Sequence, residues 1–166
     1  MVQIEKGFKT SFALAFIAYV AITVTFSLIS AFLSGSFGIE SLASYLFQSV
    51  LVPPNEAVAQ LNPSNFEHFG VTTTLPPLLS GIGALIACTI SAIIAGWMCG
   101  GGKKTAFISW YLIAVISSVI IYVVNIVLYA EGVGPVFDYL FGTLLAGLLI
   151  GIFYGAIAML VNPEYY

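Results

Sequence analysis

The residues that could carry chemistry in this chain are few and lie apart. His68 is the only histidine and follows Glu67, and the cysteines are Cys88 and Cys99. One imidazole and one carboxylate are too few for a metal or acid–base site, and adjacent side chains point in different directions. The cysteines would lie about 16 Å apart along a helix, too far for a disulfide. We therefore predict no catalytic residue, no metal site and no cofactor, with reduced cysteines that pack as small apolar residues.

Two other features invite a functional interpretation. The glycines from Gly100 to Gly102 before Lys103 do not match the motif of a phosphate-binding loop. That motif requires a glycine where Trp97 stands, a serine or threonine where Lys104 stands, and a preceding strand. The run of glycines predicts a turn instead. Asn125 is the one strongly polar amide within an apolar run, and we expect it to make an interhelical hydrogen bond that fixes helix register. A pore-lining role for Asn125 is the alternative.

Four long apolar runs must position these residues. They contain no Asp, Glu, Lys, Arg or His, and they span residues 11–33, 77–98, 106–129 and 139–161. A membrane-spanning helix needs roughly 20 apolar residues, and each run meets that length. The chain predicts an all-α integral membrane protein, one domain over residues 1–166, with four transmembrane helices in an up-and-down bundle. The expected spans are residues 8–33, 77–98, 105–129 and 136–161.

The longest connection is the segment 34–75. Apolar residues recur at helical spacing from Ser41 to Val52, between a capping signal and Pro53-Pro54. This pattern predicts a short amphipathic helix on the membrane surface. Residues Val71 to Leu75 are β-prone and are expected to form an extended lead into the membrane. Pro76 and Pro77 would then open the second helix.

Acids and bases are segregated along the chain. All four bases are lysines, either before the first run or between the second and third: Lys6, Lys9, Lys103 and Lys104. The positive-inside rule then places both termini in the cytoplasm. The loops 34–75 and 130–138 would be external, and they carry the acids Glu40, Glu56, Glu67, Glu131 and Asp138. The first run is longer than the core of a cleaved signal peptide, so we expect it to be retained as an anchor.

Small residues form stripes on the second and fourth helices. One row on the second helix contains Ser80, Ala84, Cys88, Ala92 and Gly96, and the adjoining row contains Gly83, Ala87, Ser91 and Ala95. The fourth helix carries Thr143, Gly147, Gly151 and Gly155 at the spacing of a glycine zipper. Such faces predict close helix contact, either within the bundle or with another subunit. The short loop between them predicts that the second and third helices form a tight pair, with the first helix free to pack elsewhere.

Aromatic residues near the lysine-bearing loop predict an interfacial belt. Trp97, Trp110 and Tyr111 flank this loop, and tryptophan and tyrosine are enriched at membrane–water interfaces. We therefore expect all three at the cytoplasmic interface.

The absence of Asp, Glu, Lys, Arg and His from the apolar runs limits the functions that the chain could have. Intramembrane enzymes need nucleophiles, bases or metals, and coupled transporters place acids or bases at midmembrane. We therefore predict that the chain is not an enzyme. We expect a non-catalytic accessory or structural subunit of a larger integral-membrane complex. Its partners would be the lipid bilayer and other membrane subunits or copies of itself, with no nucleic acid. The alternative is an oligomeric passive pore for small solutes or cations, whose external acids would concentrate cations.

Overall fold

The computed structural model describes residues 7–35, 38, 71–129 and 133–163. Within these ranges, side chains are described except at residues 71–78, 80, 121–122, 124–129, 133–140 and 143. The described chain forms four α-helices and contains no strand: α1 Phe8–Leu33, α2 Val71–Met98, α3 Lys103–Tyr129 and α4 Val133–Val161. The interfacial helix expected at Ser41–Val52 lies outside the described residues, as do Glu40, Glu56, Glu67 and Glu131. Asp138, expected in the second external loop, falls within α4, and its side chain is not among the described ones.

Each helix is long and apolar enough to cross a membrane, judged by length and composition. The helices contain 26, 28, 27 and 29 residues. At 1.5 Å per residue they are about 39 to 44 Å long, which exceeds the hydrocarbon thickness of a bilayer. The described architecture is therefore all-helical, with four candidate membrane-spanning helices.

Two helix starts differ from the sequence expectation. Val71 to Leu75 is helical, so Pro76 and Pro77 lie inside α2 and do not open it. Proline fixes φ near a helical value, so the two residues continue the helix although they supply no N–H donor. Helix α4 begins at Val133, which leaves Pro135 in the first turn, where a missing donor costs little.

Glycines end the first two helices. Gly35 follows α1 with φ of +69° and donates its N–H to the carbonyl of Phe32 at 3.2 Å. Gly100 follows α2 with φ of +60°. A left-handed residue after the last turn reverses the chain and satisfies terminal carbonyls, and glycine adopts it without strain. The glycine run at Gly100 thus forms the turn that leads into α3.

The helices pack as two antiparallel pairs. The most extensive contacts are those of α1 with α2 and of α3 with α4. Gly7, at the start of α1, donates its N–H to the carbonyl of Met98 at the end of α2, at 3.2 Å. The expected tight pairing of α2 with α3 is therefore wrong: α2 packs mainly on α1, because the broad small-residue face of α2 decides its neighbour more strongly than the short loop does.

The core lies where the two pairs meet. Helix α1 buries one side chain at every fourth position from Ser11 to Thr23, through Ala15 and Tyr19. Helices α2, α3 and α4 contribute Cys88, Trp110, Ile113, Tyr154 and several alanines to the same cluster. The first helix is thus an integral part of the bundle, and all four helices contribute to its interior.

Candidate functional site

The centre of the bundle is a cluster of three aromatic rings from three helices. Trp110 of α3 lies between Tyr19 of α1 and Tyr154 of α4, with ring centroids 5.8 Å and 6.1 Å apart. Trp110 is 0% exposed, and its indole Nε1 has no hydrogen-bond partner within the described part of the chain. Cys88 of α2 is buried in the same cluster as a free thiol. This aromatic cluster fills the space between the helices.

The position of Trp110 corrects an expectation from the sequence. Trp97 is 58% exposed near the end of α2, as an interfacial residue would be, whereas Trp110 faces the core. Ala106, Ile113 and Ala114 are buried on the same side of α3 at helical spacing, and this stripe was the signal for the inward face. The nearness of Trp110 to the lysines therefore led to a wrong prediction. Its position around the helix axis decides its environment, and that position faces the core.

Serine hydroxyls connect three helices near the lysine-bearing end. Ser11 of α1 donates to the carbonyl of Ala95 on α2 at 2.7 Å. Its oxygen also lies 2.7 Å from the hydroxyl oxygen of Ser109 on α3. Because Ser11 has one proton and gives it to Ala95, Ser109 is the donor of the second bond. These two buried hydrogen bonds fix how α1, α2 and α3 are positioned along their axes relative to one another.

Most other buried hydroxyls bond to their own helix. Thr23 donates to the carbonyl of Tyr19, Ser91 to that of Ala87, and Ser117 to that of Ile113. Ser118 is buried and its hydroxyl has no partner among the described residues. Hydroxyls that bond to the preceding turn are satisfied without a solute or a neighbouring helix. The described hydroxyls therefore contribute structure to the bundle and leave little polar surface for a ligand.

The small-residue face of α2 meets two neighbours. All eight described residues of its two rows are buried: Gly83, Ala84, Ala87, Cys88, Ser91, Ala92, Ala95 and Gly96. A Cβ at Gly83 would collide with Phe26 of α1, and one at Gly96 would collide with the carbonyl of Ala158 on α4. The side chain of Ser80 lies outside the described ones. Helix α2 thus joins the two pairs through opposite ends of one face.

The glycines of α4 meet α3. A Cβ at Gly151 would lie 2.6 Å from the Cβ of Ala114, and one at Gly155 would lie 2.8 Å from the ring of Phe107. Gly147 is buried on the same face. The side chain of Thr143 lies outside the described set, and so does that of Asn125. The described glycines at this spacing on α4 therefore face neighbours inside this chain.

One contact was missed by the sequence reasoning. The side-chain amide of Asn162, just after α4, donates to the carbonyl of Gly101 at 3.0 Å. Asn162 is buried and precedes Pro163, an Asn-Pro pair that is typical of turns. This bond ties the end of α4 to the turn between α2 and α3.

The outer surface has a shallow apolar groove between α2 and α4. The two helices touch at Gly96 and Ala158, and the groove lies farther along them, lined by Leu85, Leu149, Ile150, Phe153 and Tyr154. Its volume is about 340 Å³. Within the described residues, no group of three metal-ligating side chains forms. The groove is therefore a feature for apolar contact and not for polar chemistry.

Comparison of this chain with known protein families, curated proteins and solved structures finds no match.

Proposed function

We propose that this chain is a multi-pass membrane protein that serves as a non-catalytic helical subunit of a larger membrane assembly. The observation that carries the membrane part is the outer surface. Large apolar side chains are exposed on all four helices, among them Ile17, Ile90, Val119 and Leu149. Water-soluble monomers rarely expose contiguous apolar patches larger than a few hundred Å². Acyl chains and neighbouring helices are the surroundings that this surface fits.

The packed interior supports a role without catalysis. Trp110, Tyr19 and Tyr154 occupy the space where a substrate site or a channel through one bundle would lie. The buried hydroxyls that bond to backbone carbonyls are already satisfied. A protein whose interior is filled in this way acts through its outer surface. The passive pore is therefore the weaker proposal, because aromatic rings occupy the centre of the bundle and most of the described buried hydroxyls bond to backbone carbonyls.

The outer surface of α4 is the part of the bundle proposed to contact a partner subunit. It exposes the large side chains Phe141, Leu145, Leu149, Phe153 and Leu160, next to the groove shared with α2. Ridges of a neighbouring helix pack into such grooves. The glycines of α4 are engaged by α3, so the partner would meet the large residues and not the zipper. This assignment places the partner against the α2–α4 side of the bundle.

Matched substitutions test the partner face. Leu149 on α4 is 66% exposed and Ile17 on α1 is 61% exposed, so a tryptophan at either position leaves the bundle interior unchanged. After gentle detergent extraction, the native chain should migrate as a species much larger than 17.7 kDa plus a micelle and contain other polypeptides. Leu149→Trp should reduce this species, and Ile17→Trp should retain it. A clean monomer from the native chain would contradict the subunit role.

The proposed orientation has the termini and the 99–102 turn in the cytoplasm and the acidic segments outside. It is supported by the lysines Lys9 and Lys103, which the antiparallel pairing brings to one end of the bundle. A cysteine introduced by Glu56→Cys should react with an impermeant thiol reagent added outside intact cells. The native Cys88 and Cys99 are buried, so the unmodified chain is the control. Labelling from inside alone would contradict the orientation.

A further inference from the structure

The lysine-bearing end of the bundle is a positively charged surface on backbone that hydrogen bonds hold in place. We call this surface, formed by Lys9, Lys103 and Lys104, the platform. Of the charged side chains that the structure describes, all three are exposed lysines at this end: Lys9, Lys103 and Lys104. Gly7, two residues before Lys9, is bonded to Met98, and the turn before Lys103 is bonded to Asn162. These bonds join α1, α2, the turn and α4. The lysines are therefore displayed on a fixed scaffold and not on a loose tail.

The sequence next to this platform preserves the excess of positive charge. Glu5, Lys6 and Glu164 are its neighbours along the chain, so bases outnumber acids four to two there. The remaining acids are separated from the lysines along the chain: Glu40, Glu56 and Glu67 stand between α1 and α2, and Glu131 and Asp138 follow α3. A charged patch of this kind complements an anionic surface.

The side wall beside the platform is apolar and carries an interfacial aromatic. Trp97 is exposed on α2, one residue before Met98, and Phe8 is exposed next to Lys9. An amphiphile with a negatively charged head and acyl chains can satisfy both surfaces at once: its head meets the lysines and its chains lie along the helices. A free anion would use only the lysines.

From this arrangement we propose that the lysine end binds the headgroups of anionic phospholipids in preference to zwitterionic ones. The inference rests on the proposed membrane location and adds the lipid class recognised at that end. Lys9, Lys103 and Lys104 supply the charge, and Trp97 marks the depth of the headgroup. The consequence is a bundle whose end is held in the leaflet richer in anionic lipid, which matches the proposed cytoplasmic side.

Quenching of Trp97 by brominated lipids tests this. The full chain is reconstituted into phosphatidylcholine vesicles that contain a small fraction of brominated phosphatidylglycerol or brominated phosphatidylcholine. We expect the anionic lipid to bind beside Trp97 roughly fivefold more tightly, the effect of one lysine near an anionic headgroup. Trp110 is buried and provides an unquenched background, so Trp97→Phe should abolish the signal. Equal quenching by both lipids would overturn the inference while leaving the membrane location intact.

Charge variants identify the residues responsible. The combined variant Lys9→Gln, Lys103→Gln and Lys104→Gln should bring the two lipids to equal quenching, and because these side chains are exposed it should leave the fold unchanged. Removal of acids by Glu56→Gln, Glu67→Gln and Glu131→Gln is the matched control and should leave the preference as it is. Retention of the preference by the lysine variant would overturn the proposal. Quenching by neither lipid in the native chain would overturn the membrane location as well.

Salt and inorganic phosphate separate a lipid from a free anion. Sodium chloride should weaken the preference by screening the lysines. Inorganic phosphate at the same ionic strength should weaken it to the same extent. A larger effect of phosphate than of chloride would show that the platform takes a free anion, which contradicts recognition of a lipid.

Discussion

The small-residue faces of α2 and α4 carry similar sequence patterns but serve different neighbours. The small-residue face of α2 contacts two different helices. Gly83 leaves room for the side chain of Phe26 on α1, and Gly96 lies against the backbone of α4. On α4, Gly151 and Gly155 both lie against side chains of α3. In both cases the glycine admits a neighbour of the same chain. Small-residue spacing therefore predicts close approach but does not identify the helix that approaches.

The same difference explains which of the two helices keeps a large exposed apolar surface. Helix α2 connects the two antiparallel pairs, so its small rows are enclosed on both sides. From Leu144 to Val161, helix α4 is apolar all round, and after contact with α3 and α2 it still exposes Leu149, Phe153 and Leu160. A helix that is hydrophobic on every face needs apolar surroundings on every face. The outer side of α4 is thus the surface at which we propose that a partner subunit completes the packing.

The largest effect is expected from Gly96→Ala. A methyl group there would collide with the carbonyl of Ala158, and backbone cannot move aside as a side-chain tip can. We expect the free energy of unfolding in micelles to fall by about 3 kcal/mol, the upper part of the range for overpacking. Denaturant titration followed by circular dichroism measures it. Unchanged stability would show that α2 and α4 do not touch at this point.

A smaller loss is expected from Gly151→Ala on α4. The new methyl would lie 2.6 Å from the Cβ of Ala114, so the pair α3–α4 must separate slightly, at a cost of about 2 kcal/mol. Adding Ala114→Gly removes the opposing methyl and should recover part of the loss. The double-mutant cycle in the same titration measures this coupling. Strict additivity of the two substitutions would argue against the contact.

The hydroxyl link of α1 to α2 should contribute less than the glycine contacts. Ser11→Ala removes the bond to Ala95 and the partner of Ser109, and we expect a loss of about 1 kcal/mol. Thr25→Ala is the matched control, because that hydroxyl is exposed and bonds only to Ala21 of its own helix. If both variants lose the same stability, the interhelical bonds of Ser11 contribute nothing beyond a local hydroxyl.

Gly142→Ala is expected to have the smallest effect and the opposite sign. Apart from the adjoining residues of its own helix, no atom of the described part of the chain lies within 4 Å of a Cβ at this exposed position of α4. Alanine should therefore stabilise the helix by about 0.5 to 1 kcal/mol. Thermal unfolding of the purified chain in micelles measures the gain. A loss of stability there would show that the surface at Gly142 is covered within the chain, contrary to the described packing.

The helices could be predicted from the sequence more easily than their partners could. Four long apolar runs predicted four helices, and the structure has four, of which α1 spans Phe8–Leu33. The start of α2 was missed because proline suggested a beginning, although its fixed φ also allows a helix to continue. Trp110 was placed at the interface by its nearness to lysines, although its helical phase put it in the core. The interhelical bonds of Ser11 and Asn162 depend on residues far away in the chain, so no local pattern could reveal them.

Photocrosslinking in native membranes tests the proposed subunit role most directly. A photoreactive amino acid replaces Leu149 or Phe153 on the outer side of α4, or Ile17 on α1 as the control, all of which are exposed. We expect the same discrete polypeptide adduct from Leu149 and Phe153, lost when the assembly is dissociated, and lipid adducts alone from Ile17. An adduct of two copies of this chain would identify the partner as itself. Lipid adducts alone from both α4 positions would contradict the subunit role.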